Sequence, residues 1–195
     1  MFEILRADIR EARKVNVKSD WWSQNLKVFL QPGTMAVIHY RYRRWAMGVR
    51  LPVLRQFLNG MGLLSGFWVA GLTGVDISPA ADIGPGFVVH TAHGVLVGEV
   101  KIGANCLVQH GVALTHGTGL VGNNVYFGPG AKVIGRAKIG NNVVVVANSL
   151  VMTDVPDNTT VIGVPARIRL RRGSDDQGRS ITRVVTARSQ QQSGT

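Results

Sequence analysis

Four of the five histidines fall between Val89 and His116, namely His90, His93, His110 and His116. A hydroxyl is a poor nucleophile until a base removes its proton in the transition state. A positioned imidazole does this near neutral pH and contributes roughly 10²–10⁴-fold. Such a cluster in so short a stretch points to acid–base chemistry or to a ligand set. The remaining one, His39, lies among apolar helical residues and reads as structural.

What must position these side chains is a six-residue phrase repeated about thirteen times from Ile77 to Val161. Its apolar anchors are Ile77, Ile83, Val89, Leu96, Ile102, Val108, Leu114, Val121, Phe127, Val133, Ile139, Val145 and Val151, with one extra residue before Leu96 and one before Val121. Neither a helix nor an alternating strand has a period of six, whereas short strands joined by tight corners do. The spacing predicts a mainly β protein, a left-handed parallel β-helix of three-sided coils, with an N-terminal helical segment. Small or medium residues four places after the anchors (Ala81, Cys106, Val112, Thr118, Val125, Ala131, Ala137, Val143, Ser149) fit the corners. Gly122-Asn123-Asn124 and Gly140-Asn141-Asn142 suit the turns there.

On this frame His90, one residue after an anchor, points outward. One coil is eighteen residues, and the extra residue makes nineteen, so Thr91 and His110 sit on adjacent coils, roughly 5 Å apart. His93 takes an inward corner position, as a packed histidine or an acceptor contact. His116, in the irregular stretch Thr115 to Gly119, reads as a loop histidine, an acceptor contact or an oxyanion donor.

The 195 residues divide into a helical region (1–73), the β-helix (74–168) and a basic tail (169–195) expected to be disordered. Helices are expected over 3–14 with Ile4, Leu5, Ile9 and Ala12 on one face, then Ser23 to Leu30, Thr34 to Val49, and Pro52 to about Leu72. The net charge of +11 is concentrated in Arg41-Tyr42-Arg43-Arg44 and in the tail, and reads as a solvated face. No recognised reading motif accompanies it, so nucleic acid is not an expected partner. One cysteine, Cys106, allows no internal disulfide. The charged start of the chain is unlike a signal peptide, and the longest apolar run, Met61 to Val75, is about fifteen residues, short for a span. A cytoplasmic protein without stable membrane insertion is expected.

The repeat and its closing Gly163-Val164-Pro165-Ala166-Arg167 resemble the hexapeptide-repeat acyltransferases. Val75-Asp76-Ile77-Ser78-Pro79-Ala80-Ala81, Gly94-Val95-Leu96-Val97-Gly98-Glu99 and Gly128-Pro129-Gly130-Ala131-Lys132-Val133-Ile134-Gly135 are similar to phrases of the serine acetyltransferases and their relatives. Weaker likenesses are Leu5-Arg6-Ala7-Asp8-Ile9 and Tyr42-Arg43-Arg44-Trp45. The resemblance implies a homotrimer, or a dimer of trimers, with active sites between neighbouring prisms. The implied reaction moves an acetyl group from acetyl-CoA to a hydroxyl, with a histidine base oriented by an aspartate and no metal.

Asp76 matches that aspartate. Counted back from Ile102, His90 takes the histidine's place; counted forward from Ile83, Thr91 takes it and His90 replaces an acidic neighbour. His90 is preferred as base, with His110 second. The family's acidic acceptor contacts are absent: one position holds Val89 or His90, and another falls at Asn16. The loop that carries an R-H-P phrase is absent too. A sugar or other neutral hydroxyl is therefore expected as acceptor ahead of serine. For the donor, Gly117 and Gly119 allow close approach, while Gly130, Ala131, Ala147 and Ser149 are expected to form a groove for the pantetheine arm. Lys132, Arg167 and Arg169 are expected to meet its phosphates. His90, His110 and His116 on zinc, as in the γ-type carbonic anhydrases, is a competing reading. A non-catalytic scaffold is another.

Overall fold

In the computed structural model, residues 2–15 and 28–171 are described. Among the described residues, helices α1 (Phe2–Val15), α2 (Pro32–Met47) and α3 (Pro52–Thr73) precede fourteen short strands. Asn16, most of the helix expected over Ser23 to Leu30, and the tail beyond Arg171 lie outside the described residues. Pro32 and Pro52 each occupy the first turn of their helix, where a missing N–H costs nothing. Residues 28–30 are helical and Gln31 is a bend, so Pro32 stands at the break between one helix and the next. Gly74, left-handed at φ 63°, closes α3 and releases the chain into the first strand.

Strands β1 (Val75–Ile77), β4 (Val95–Val97), β7 (Ala113–Leu114), β10 (Lys132–Val133) and β12 (Leu150–Val151) form the first sheet. The second holds β2 (Asp82–Ile83), β5 (Lys101–Ile102) and β8 (Leu120–Val121). The third runs β3 (Val88–Val89), β6 (Leu107–Val108), β9 (Tyr126–Phe127), β11 (Val144–Val145), β13 (Thr159–Ile162) and β14 (Arg167–Arg171). All pairings are parallel except β13 with β14, which fold back on each other and end the stack. This is a parallel β-helix.

The interior follows the hexapeptide phrase. Leu114, Val121, Phe127, Val133 and Val145 are fully buried, each stabilising the fold by about 1.5–3 kcal/mol. The small residues are likewise inside: Ala81, Cys106, Val112, Ala131 and Val143 have no exposed surface. Asn124 and Asn142 turn their corners in the left-handed conformation, at φ 54° and 55°, and Asn124 Nδ2 donates to Asn142 Oδ1 of the next coil at 3.1 Å.

One anchor differs from the expectation. Leu96 is 41% exposed, whereas Val95 and Val97 are buried, so Val97 is the anchor on β4. The extra length of the corner before β4 shifts the alternation by one residue.

The helices cover one end of the prism. Ala12 is buried and Ile9 packs beside it, as the amphipathic pattern requires, while Ile4 stays exposed. Tyr40 is buried and its hydroxyl donates to Ala81 O at 2.7 Å. Arg41 does not belong to a solvated face. It is buried, with Nε donating to Asp8 Oδ2 at 2.9 Å and Nη2 to Gly84 O at 2.7 Å. Asp8 Oδ1 also accepts the Phe87 N–H at 2.9 Å. This pair ties α1, α2 and the first coil together. His39 is structural, its Nε2 lying 3.2 Å from both Gly62 O and Ser65 Oγ of α3.

Candidate active site

The corner that leads from the third sheet to the first gathers the candidate groups. The β3–β6 register, Val89 opposite Val108, carries on into Thr91 opposite His110. Thr91 Oγ1 lies 3.1 Å from His110 Nδ1 and donates to Gln109 Oε1 at 2.7 Å. It also accepts the His110 backbone N–H at 3.2 Å. A hydroxyl has one proton and two acceptor lobes. Since its proton goes to Gln109, Thr91 Oγ1 accepts from His110 Nδ1–H. With Nδ1 protonated in this way, the exposed imidazole carries its lone pair on Nε2.

His90 sits differently from its expectation. It is half-buried, with Nδ1 shielded and, among the described residues, without a hydrogen-bond partner. The N-terminus of α2 packs on the backbone of the neighbouring Val89, and Gln31 Nε2 donates to His90 O at 3.0 Å. Burial pushes its imidazole below the usual histidine range, which favours the neutral form. Asp76 is exposed on β1, in the first sheet, and is not a partner of His90 Nδ1. An aspartate-oriented His90 is therefore not formed within the chain.

His93 is not an inward corner residue. It is exposed, in the left-handed region at φ 93°, and Ala92 packs against the core in its stead. The extra residue of this corner again accounts for the change.

The donor residues separate into two groups. Along the same corner, Gly130 N–H donates to His110 O at 2.9 Å and Asn148 N–H to Pro129 O at 2.8 Å, so Gly130 and exposed Ala147 continue the column above His110. Arg167 and Arg169 are exposed on β14, the far strand of the third sheet. Five strand spacings separate β14 from β3, about 24 Å. Lys132 is exposed at the start of β10. Ala131 and Ser149, by contrast, line no groove: they are 0% and 1% exposed, because the small corner residues point into the prism. Ser149 Oγ accepts the Gly163 N–H at 3.2 Å instead.

His116, Gly117 and Gly119 lie on another corner, between β7 and β8. His116 is exposed, its Nδ1 accepting the Glu99 N–H at 3.3 Å. Gly117, at φ 84°, faces open space. Gly119 is a packing glycine, since a Cβ there would meet Arg136 O at 2.8 Å. Gly130 is constrained similarly by Asn148 Oδ1. One chain thus does not bring His116 to His90 and His110. Among the described residues, no group of three His, Cys, Asp or Glu side chains stands close enough to hold a metal ion.

The coil spacing places Thr91 beside His110, whereas Gln109 carries no chemical signal in the sequence.

The bacterial transferase hexapeptide (six repeats) model matches residues 120–152. The chain is 39% identical over 184 residues to the serine acetyltransferase of Synechococcus elongatus, covering 89% of this chain and 70% of that protein. The chain belongs to the serine acetyltransferase family. This family member is also 34% identical to the Mycobacterium tuberculosis serine acetyltransferase, over 86% of this chain and 73% of that one. It superposes on a serine acetyltransferase solved in complex with CoA, with a TM-score of 0.71 and 30% identity, covering 86% of this chain and 68% of that chain. A Neisseria gonorrhoeae serine acetyltransferase in complex with serine gives a TM-score of 0.69 at 29% identity, with coverages of 87% and 69%. The chain is accordingly an acyltransferase.

Proposed function

We propose that this acyltransferase moves the acetyl group of acetyl-CoA to the hydroxyl of serine, with His110 as general base and Thr91 as its positioning residue. The likeness to serine acetyltransferases over 89% of the chain carries the choice of reaction and acceptor. It favours serine over the sugar hydroxyl expected from the lost acidic contacts. The hydrogen bonds of Thr91 carry the choice of base. His110 Nε2 takes the hydroxyl proton as the oxygen attacks the thioester carbonyl. The carbon–sulfur bond then breaks, and the same nitrogen returns the proton to the departing thiolate.

The donor lies along the third-to-first corner, over Gly130 and Ala147, with its phosphates toward Arg167. This places the thioester at the histidine end and the nucleotide at the basic end. Gly117, Gly119 and His116 act from a neighbouring copy in a homotrimer, since their corner lies away from His110 in one chain, and Lys132, next to the Gly130 corner, faces the same donor. His90, His93 and Asp76 border the acceptor's place.

A neutral acceptor is the second reading, favoured by one observation: Thr91, Gln109 and His110, the hydrogen-bonded groups at this corner, include no carboxylate to hold an ammonium group. Thiol release from acetyl-CoA, measured with L-serine, simple sugars and nucleotide-sugars, decides between them. Turnover with serine supports the first reading, and turnover with a sugar alone supports the second. Release with none of them rejects both and leaves the scaffold reading.

A further inference from the structure

The longest helix, α3, packs on α2 through a narrow side. Gly62 lies against Arg43 and Tyr42, and Gly66 against His39. Among the described residues, the opposite half of the helix is uncovered. Val53, Phe57, Leu63, Leu64, Phe67 and Trp68 are each 63–79% exposed. At 100° per residue they span a continuous arc of somewhat under half the circumference. An apolar face this wide, on 22 residues or about 33 Å of helix, needs a cover.

Charge narrows the choice of cover. No Asp or Glu occurs between Asp20 and Asp76, while five arginines do: Arg41, Arg43, Arg44, Arg50 and Arg55. Arg41 is held by Asp8 and Arg44 reaches Asp82 at 3.3 Å. Arg50 and Arg55 are exposed at the N-terminal end of α3. A second helix of the same sequence would cover only a stripe of the arc and would bring no acidic group to these arginines. A planar anionic lipid surface covers the whole arc and supplies phosphates at its rim.

We propose that α3 docks flat on an anionic lipid bilayer, its aromatic and aliphatic arc entering the headgroup boundary and Arg50, at the start of the helix, meeting lipid phosphates. The docking is peripheral, because among the described residues no helix is long and apolar enough to cross a membrane.

Flotation of the full chain with phosphatidylcholine vesicles, with and without phosphatidylglycerol, tests this. The chain should float with the mixed vesicles at least about tenfold better than with the neutral ones, less so at high salt. Arg50→Glu should weaken flotation about fivefold. Phe67→Glu with Trp68→Glu should abolish it, with circular dichroism and melting unchanged because both side chains are exposed. Equal flotation on both vesicles, or full flotation of the Phe67→Glu/Trp68→Glu chain, overturns the proposal. Absence of flotation, with sedimentation showing a larger assembly that the same double variant breaks, overturns it in favour of a second copy.

Discussion

Thr91 Oγ1 and His110 Nδ1 stand 3.1 Å apart on neighbouring coils, nineteen residues apart in the chain. A hydroxyl that gives its proton to Gln109 and accepts from His110 holds the imidazole in one tautomer, as a carboxylate does in hydrolytic triads. The two differ in charge: threonine orients the ring without stabilising its protonated form.

Removing the orienting hydroxyl separates positioning from catalysis. Thr91→Val should lower kcat about tenfold, well short of the 10²–10⁴-fold of losing the base. Thr91→Ser should recover most of it. If Thr91→Val instead leaves kcat and its pH profile untouched, the hydroxyl has no positioning role.

Asp8 and Arg41 are predicted to matter for stability. Asp8→Asn leaves a buried guanidinium without its charge partner and should destabilise by about 3–5 kcal/mol. Denaturant titration measures this as a lower midpoint at constant slope. A change below about 1 kcal/mol, the scale of an exposed pair, would mean the ion pair does not join the helices to the first coil.

Acid should weaken the fold around His90 and His39. Burial lowers both imidazoles below their ordinary range, so the unfolded chain takes up protons more readily as pH falls through about 6.5. Their contribution is present above that pH and is lost as pH drops toward the folded values. The melting temperature should therefore fall between about pH 7 and pH 5, and His39→Gln with His90→Gln should flatten the dependence. An unchanged slope in the double variant contradicts the shielding of these rings.

Cys106 should be inert in the folded protein. Burial raises its thiol to about 12, and its Sγ–H points to Gly122 O at 3.3 Å. Thiolate is the reactive form, so an aromatic disulfide reagent at mild alkaline pH should label Cys106 only after denaturation. Rapid labelling of the native chain would show that this corner opens.

The fold was legible because the hexapeptide pattern is local: each anchor and each corner residue sees nearly the same surroundings on every coil. The pattern misled where a corner carries an added residue, as at Leu96 and His93, since one residue reverses inside and outside. Small residues misled for another reason. Ala131 and Ser149 suit a ligand groove and a packed corner equally well in sequence, and only their burial decides. Arg41 read as surface charge because its partner Asp8 lies 33 residues away. The histidine cluster was visible, whereas the ranking within it depended on hydrogen bonds that no spacing encodes.

The central claim, acetyl transfer with His110 as base, is tested most directly by thiol release from acetyl-CoA with L-serine in His110→Ala and His90→Ala. His110→Ala should lose about 10²–10⁴-fold in kcat with melting and coenzyme binding intact, while His90→Ala should lose far less. Full turnover in His110→Ala, or a selective loss in His90→Ala, would contradict it.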